Sequence, residues 1–319
     1  MSIELILMSK VYIKGTVIMV TTRTEVGLPF VSTEAMNMIL WGVIARAQLI
    51  FPVRVVSLLF MANHLHMILI VDNPEDISGF MDRVKTESAH DINRLLGRRQ
   101  RTVWVKGFDD PRILTPHDVV EKIAYIYANP QKASLVDTIE EYPGVSTWGM
   151  LMSGVNTKEC LWVNRPKVSL LEENLSQLDA FIAEHKLVSH TFTLSPMDWT
   201  ECFSGLDKEK EKQKIIRRVR ELEAEYRDAR PHPVKGAEEL KRESMRMDYV
   251  PKTYGKKMIC ICSDLELRKA YINLVKTLRQ KARAVLKDWR ESRREVPFPP
   301  GLFAPSSPRY ANMVPAAVF

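Results

Sequence analysis

Residues 53–60 (VRVVSLLF) and 64–71 (HLHMILIV) are two eight-residue apolar runs separated only by Met61-Ala62-Asn63. Runs of that length, rich in Val, Leu and Ile, suit buried strands better than helices. A three-residue link leaves no room for a crossover, so the pair predicts adjacent antiparallel strands and commits the chain to a sheet. Arg54, Ser57, Asn63 and two histidines interrupt the stretch, which argues against a membrane span. The histidines, His64 and His66, are the oddity. On a strand they share a face, with Cα atoms roughly 6.5–7 Å apart, so both rings can converge on one metal ion.

The rest of the first 150 residues alternates strand and helix signals. TVIMVTTR (16–23) is β-branched and apolar, as a strand should be. From Ser32 or Thr33 to about Gln48, residues Met36, Ile39, Leu40, Val43, Ile44 and Ala47 recur at helical spacing behind a capping side chain. A second helix opens at Pro74, with Glu75 and Asp76 in its first turn, and runs toward Leu96 and the natural stop at Gly97. VWV (103–105) and RIL (112–114) are short strand candidates. Thr115-Pro116 opens a third helix that closes before Asn129-Pro130. The order β-α-β-β-α-β-α predicts an α+β fold, a mainly antiparallel sheet with helices packed on it.

After Trp148 the texture changes. Residues 150–205 are weakly patterned, with one helix expected over 168–186. Residues 206–230 read as a highly charged helix, most of whose charge faces solvent. Residues 264–294 predict a second long helix, with Leu265, Leu267, Ile272, Val275, Leu278 and Leu286 for burial. Ten bases oppose four acids on that span, which suits a phosphate-facing surface and a solvated face equally well. The proline-rich tail, FPPGLFAPSSPRYANMVPAAVF, is expected to be irregular. The chain is thus expected to divide into residues 1–150 and a mostly helical, basic extension over 151–319.

Net charge, +7 with a pI near 9.1, suits a polyanionic partner without requiring one. The cysteines Cys160, Cys202, Cys260 and Cys262 form no C-x-x-C pair, which excludes a zinc ribbon or redox motif and fits buried thiols in a reducing compartment. MSIELILMSK has no basic lead and a very short apolar stretch, so it is not read as a signal peptide, and a cytoplasmic protein is expected.

With seven histidines in the chain, chance alone yields an H-x-H in roughly one such sequence in eight. On its own the pair stays open between rings satisfied by carbonyls, a catalytic metal site and a structural zinc site. Zinc would want further His or Cys ligands at suitable spacing, and the sequence offers none. The third helix adds a second clue. On a wheel of residues 116–129, Val119, Val120, Ile123, Ala124, Ile126 and Tyr127 gather on one side, and Asp118, Glu121, Lys122, Tyr125 and Asn129 on the other. Burial explains Tyr127 but not Tyr125, which stands mid-face with Lys122 a turn before it and Asn129 a turn after. Tyr125 is either an ordinary surface side chain or a nucleophile beside a metal and a phosphate.

Taken together, His64-Leu65-His66 preceded by Asn63, the segment MDRVKTESAHDINRLLGRR, the VW…FDDPRIL stretch and the helix ending YIYANPQKASLV resemble the single-tyrosine HUH transposases. The resemblance is closest to the REP-associated tyrosine transposases and their insertion-sequence relatives, and covers residues 10–150. It implies an HUH, ferredoxin-like catalytic domain in which His64 and His66 bind Mg²⁺ or Mn²⁺, Asn129 is the third protein ligand and Tyr125 is the nucleophile. Insertion-sequence members often carry glutamine where this chain has Asn129. The implied reaction cleaves and rejoins single-stranded or hairpin DNA through a 5′-phosphotyrosine, in a homodimer located with the nucleoid. Arg94, Arg98, Arg99, Arg101 and Lys106 would contact the DNA backbone, with Lys85 and Lys122 as further phosphate contacts. Trp104 would stack on a base or belong to the core. Two rival expectations accompany this one: a domesticated HUH-fold protein that binds hairpins without cutting, and an unrelated metal-dependent hydrolase in which Tyr125 is incidental.

Overall fold

The computed structural model describes residues 10–25, 33–61, 63–95, 102–164, 183, 185–242, 257–291, 296–299 and 301–302. The chain divides into two compact units, one spanning Gly15–Ser263 and one combining Met1–Lys14 with Asp264–Phe319. Packing in the larger unit runs without a break across residue 150.

Its centre is a five-stranded sheet of order β2-β3-β1-β4-β7, where β1 is Thr16–Arg23, β2 Arg54–Phe60, β3 His64–Val71, β4 Arg112–Ile113 and β7 Cys260–Ile261. The pairs β2–β3, β3–β1 and β1–β4 are antiparallel, while β4–β7 is parallel. The hairpin expected at 53–71 is therefore present, and its second strand is an interior strand between β2 and β1. VWV contributes a single bridge, Thr24 to Trp104, rather than a full strand, and Trp104 donates its indole N–H to Ser88 Oγ at 2.9 Å.

Side-chain alternation splits the sheet into two faces. Leu65, Met67, Leu69, Val71, Ile18, Val20, Leu58 and Phe60 lie on one face. The other carries Val17, Met19, Leu59, Ile68 and Ile70, and this second face packs on α3 (Pro116–Tyr127) and α6 (Lys208–Ala229) in one buried cluster. The helices α1 (Glu34–Ile50) and α2 (Pro74–Leu95) complete the first half of the chain. Thr33 caps α1 as its Oγ1 accepts from Met36 N, and Thr115 caps α3 in the same way through Asp118 N.

α3 ends at Tyr127, before Asn129-Pro130 as the sequence predicts, and a single turn, α4 (Asn129–Lys132), follows. Pro130 has no N–H to give the preceding turn, which accounts for the break. Asp118, expected on the polar face, is buried because its carboxylate accepts from Thr115 Oγ1 and from the Ser263 backbone N–H at 3.0 Å.

The second half holds more strand than its pattern suggests. β5 (Thr157–Val163) and β6 (Leu187–Thr193) form a separate antiparallel pair packed on α1. The helix expected over 168–186 lies almost wholly outside the described residues. α5 (Trp148–Ser153) and α7 (Ala237–Lys241) are short, and α8 (Leu265–Arg290) is the long basic helix of the smaller unit. Leu265 and Leu267, expected to be buried, are 56% and 42% exposed. No described helix is long and apolar enough to cross a membrane.

Candidate active site

The register of the sheet sets the site. His64 faces Arg23 across the β3–β1 ladder, and His66 faces Thr21. The two imidazoles lie edge to face with centroids 4.6 Å apart. His66 is buried, and its Nδ1 is 3.0 Å from Thr21 Oγ1. His64 Nδ1 donates to Asn63 Oδ1 at 2.7 Å, which leaves Nε2 with its lone pair. Burial, and then the Arg23 guanidinium, pulls His64 down to about 4. Burial, and then His64, likewise holds His66 well below the ordinary imidazole range. Both rings are neutral near pH 7, the form that can bind a metal.

α3 and α4 bring the other two residues. Asn129 is buried at the start of α4, with Nδ2 3.4 Å from His64 Nε2. The half-buried Tyr125 sets its ring edge to face with His66 at 6.1 Å between centroids. Tyr127, two residues on, has a different environment. It is fully buried, its hydroxyl lies 2.9 Å from Thr147 Oγ1, and burial pushes its phenol far up. Of the two tyrosines, only Tyr125 faces the imidazoles.

Among the described residues no group of three His, Cys, Asp or Glu could hold a metal, so a three-ligand site has to include another donor. Two neutral imidazoles, each held at Nδ1 by a neighbour, can present Nε2 to an ion, and turning the Asn129 amide would add an oxygen. Such a set suits a cation that takes the rest of its shell from phosphate and water oxygens.

The basic residues distribute differently. Lys122 Nζ lies 5.5 Å from the Tyr125 ring centroid, and Lys132, which the sequence reading passed over, lies 5.0 Å from it. Lys106 is exposed and Arg94 half-buried. Lys85 is turned inward, donating to the Val105 and Gly107 carbonyls at 2.8 and 2.6 Å and so fastening that segment to α2. Trp104 is in the core, at 4% exposure. Arg98, Arg99 and Arg101 lie outside the described residues. Sequence reasoning also missed Thr21, Arg23 and Tyr226. Only the ladder register reveals the first two, and only the packing of α6 reveals the third.

A model of the family described as "Transposase IS200 like" matches residues 16–110, a stretch that includes the histidine pair and ends before α3. One solved structure, described as "Structure of the REP associates tyrosine transposase bound to a REP hairpin", is 22% identical over 44% of this chain and 82% of its own, with a TM-score of 0.39. No curated protein matches the chain.

Proposed function

We propose that this chain, whose residues 16–110 resemble the IS200-like transposases, is a transposase that cuts and rejoins single-stranded or hairpin DNA through Tyr125. The supporting observation is the convergence of His64, His66, Tyr125 and Asn129, drawn from a sheet strand and two helices, on one face. His64, His66 and Asn129 would hold Mg²⁺ or Mn²⁺, which supplies positive charge to a non-bridging oxygen of the scissile phosphate when bound. Tyr125 makes and breaks the bonds. Its Oη loses a proton to solvent and bonds to phosphorus, and the P–O3′ bond breaks with its electron pair on O3′, which is protonated to a free 3′-hydroxyl. The 5′-phosphotyrosine keeps a phosphodiester, so attack by a 3′-hydroxyl reverses the step without a nucleoside triphosphate.

Lys106, Lys122 and Arg94, with Arg98, Arg99 and Arg101, are the proposed backbone contacts, and Lys85 is proposed to act through the segment it fastens. A homodimer is part of the proposal. The test is a 3′-labelled hairpin oligonucleotide with single-stranded flanks, incubated with Mn²⁺ or Mg²⁺ and run under denaturing conditions. The wild type is expected to carry label covalently, whereas Tyr125→Phe carries none. Binding without any adduct would leave a hairpin-binding protein that does not cut. One equivalent of tightly bound zinc, with Tyr125→Phe fully active on another substrate, would favour an unrelated hydrolase.

A further inference from the structure

Lys132 ends α4 on the exposed side of the site, and its ammonium stands between two phenol rings. It lies 5.0 Å from the Tyr125 centroid and 5.9 Å from that of Tyr226, both within the range of a cation over an aromatic face. Tyr226 belongs to α6, a helix beyond the region of resemblance, and its position there is fixed by several ties. Arg218 joins Glu121 of α3 at 2.9 Å. The buried Glu223 carboxylate accepts from Gln131 Nε2 at 3.2 Å and from Ile139 N at 2.8 Å. Glu121 and Glu225 are both engaged by Arg218. Among the described residues Lys132 has no ion pair, and the two rings are the contacts that hold it.

We infer that Lys132, braced by Tyr226, is a positioning residue that holds the Tyr125 ring in its attacking orientation. The inference rests on reading Tyr125 as the nucleophile. A half-buried ring fixed on one side by His66 can still turn about its side-chain bonds. An ammonium over its face restricts that turning, and in-line attack tolerates little misorientation. The arrangement gives α6 a part in the reaction through Tyr226.

The test uses the full chain and the variants Lys132→Met, Lys132→Arg, Tyr226→Leu and Tyr226→Phe. It reads the rate of adduct formation at saturating hairpin, and hairpin affinity across salt concentrations. Lys132→Met is expected to slow adduct formation about ten-fold, with affinity and melting temperature nearly unchanged. Lys132→Arg should restore the rate, since a guanidinium also stacks on rings. Tyr226→Leu should slow it several-fold, and Tyr226→Phe should not. An unchanged rate with weakened, less salt-dependent binding in Lys132→Met would make Lys132 a phosphate contact and overturn the inference. The ¹H–¹³C ring signal of Tyr125, assigned by its loss in Tyr125→Phe, should shift in Lys132→Met and hold in Lys132→Arg. That signal reads the inference even if the wild type forms no adduct, in which case the reading of Tyr125 as nucleophile fails separately. An unmoved signal overturns the inference.

Discussion

Tyr125 and Tyr127 sit two residues apart on one helix, and their surroundings give them different roles. Tyr127 fills the core against Trp148, at 5.1 Å between centroids, and its hydroxyl pairs with Thr147. Tyr127→Phe should therefore cost about 1 kcal/mol in chemical denaturation and leave adduct formation intact. Tyr125→Phe should do the reverse, leaving stability alone and removing the adduct. The wheel of residues 116–129 already separated the two tyrosines, because helical periodicity alone sets which face each occupies. It could not find Thr21 or Asn63, since what orients an imidazole is a partner across a ladder or beside it in the link. Thr21→Val and Asn63→Ala should weaken Mn²⁺ binding by about 10–100-fold in calorimetric titration, as loss of ligand-orienting partners does. Unchanged affinity in both variants would separate those contacts from any metal site.

The elements most legible in the sequence were those with strong internal periodicity. The 53–71 hairpin and helices α1, α2, α3, α6 and α8 appear within a few residues of their expected bounds. β5, β6 and β7 were not legible. β6 buries a single residue fully, Phe192, so its pattern reads as polar loop, and β7 is two residues long. These elements depend on partners rather than on their own pattern. Gly42 of α1 shows such dependence, because a Cβ there would collide with the Leu161 carbonyl of β5. Gly42→Ala should accordingly destabilise the protein by about 1–3 kcal/mol in thermal melting, where an exposed helical glycine would gain stability. At the clamp between α6 and α4, Glu223→Ala strands Gln131 and the Ile139 N–H and should cost about 2–4 kcal/mol.

At the scale of the molecule, one acid among the described residues of the larger unit has an ionisation that opposes folding. Asp91 is buried on α2 near Glu87, with Arg94 and Arg46 only partly compensating, and burial followed by Glu87 pushes its carboxyl up to about 7. A raised carboxyl favours the protonated native state, so its contribution is complete below about pH 4 and is lost as pH climbs through 7. Asp91→Asn should remove that loss, raising stability at pH 8 relative to wild type by a few kcal/mol at 1.36 kcal/mol per pH unit, and changing little at pH 4. The sequence indicated the sheet, the tyrosine helix and the histidine pair. The continuity of the unit through residue 263 was hidden because the buried apolar residues of α6, Ile215, Val219 and Leu222, are scattered through a charged run. Proteolysis and mass spectrometry of protein trapped with hairpin DNA and Mn²⁺ would show whether Tyr125 is the nucleophile. A 5′-phosphoryl-oligonucleotide is expected on Tyr125 alone. An adduct on Tyr127 or elsewhere, or cleavage of the hairpin with Tyr125 unmodified, would contradict it.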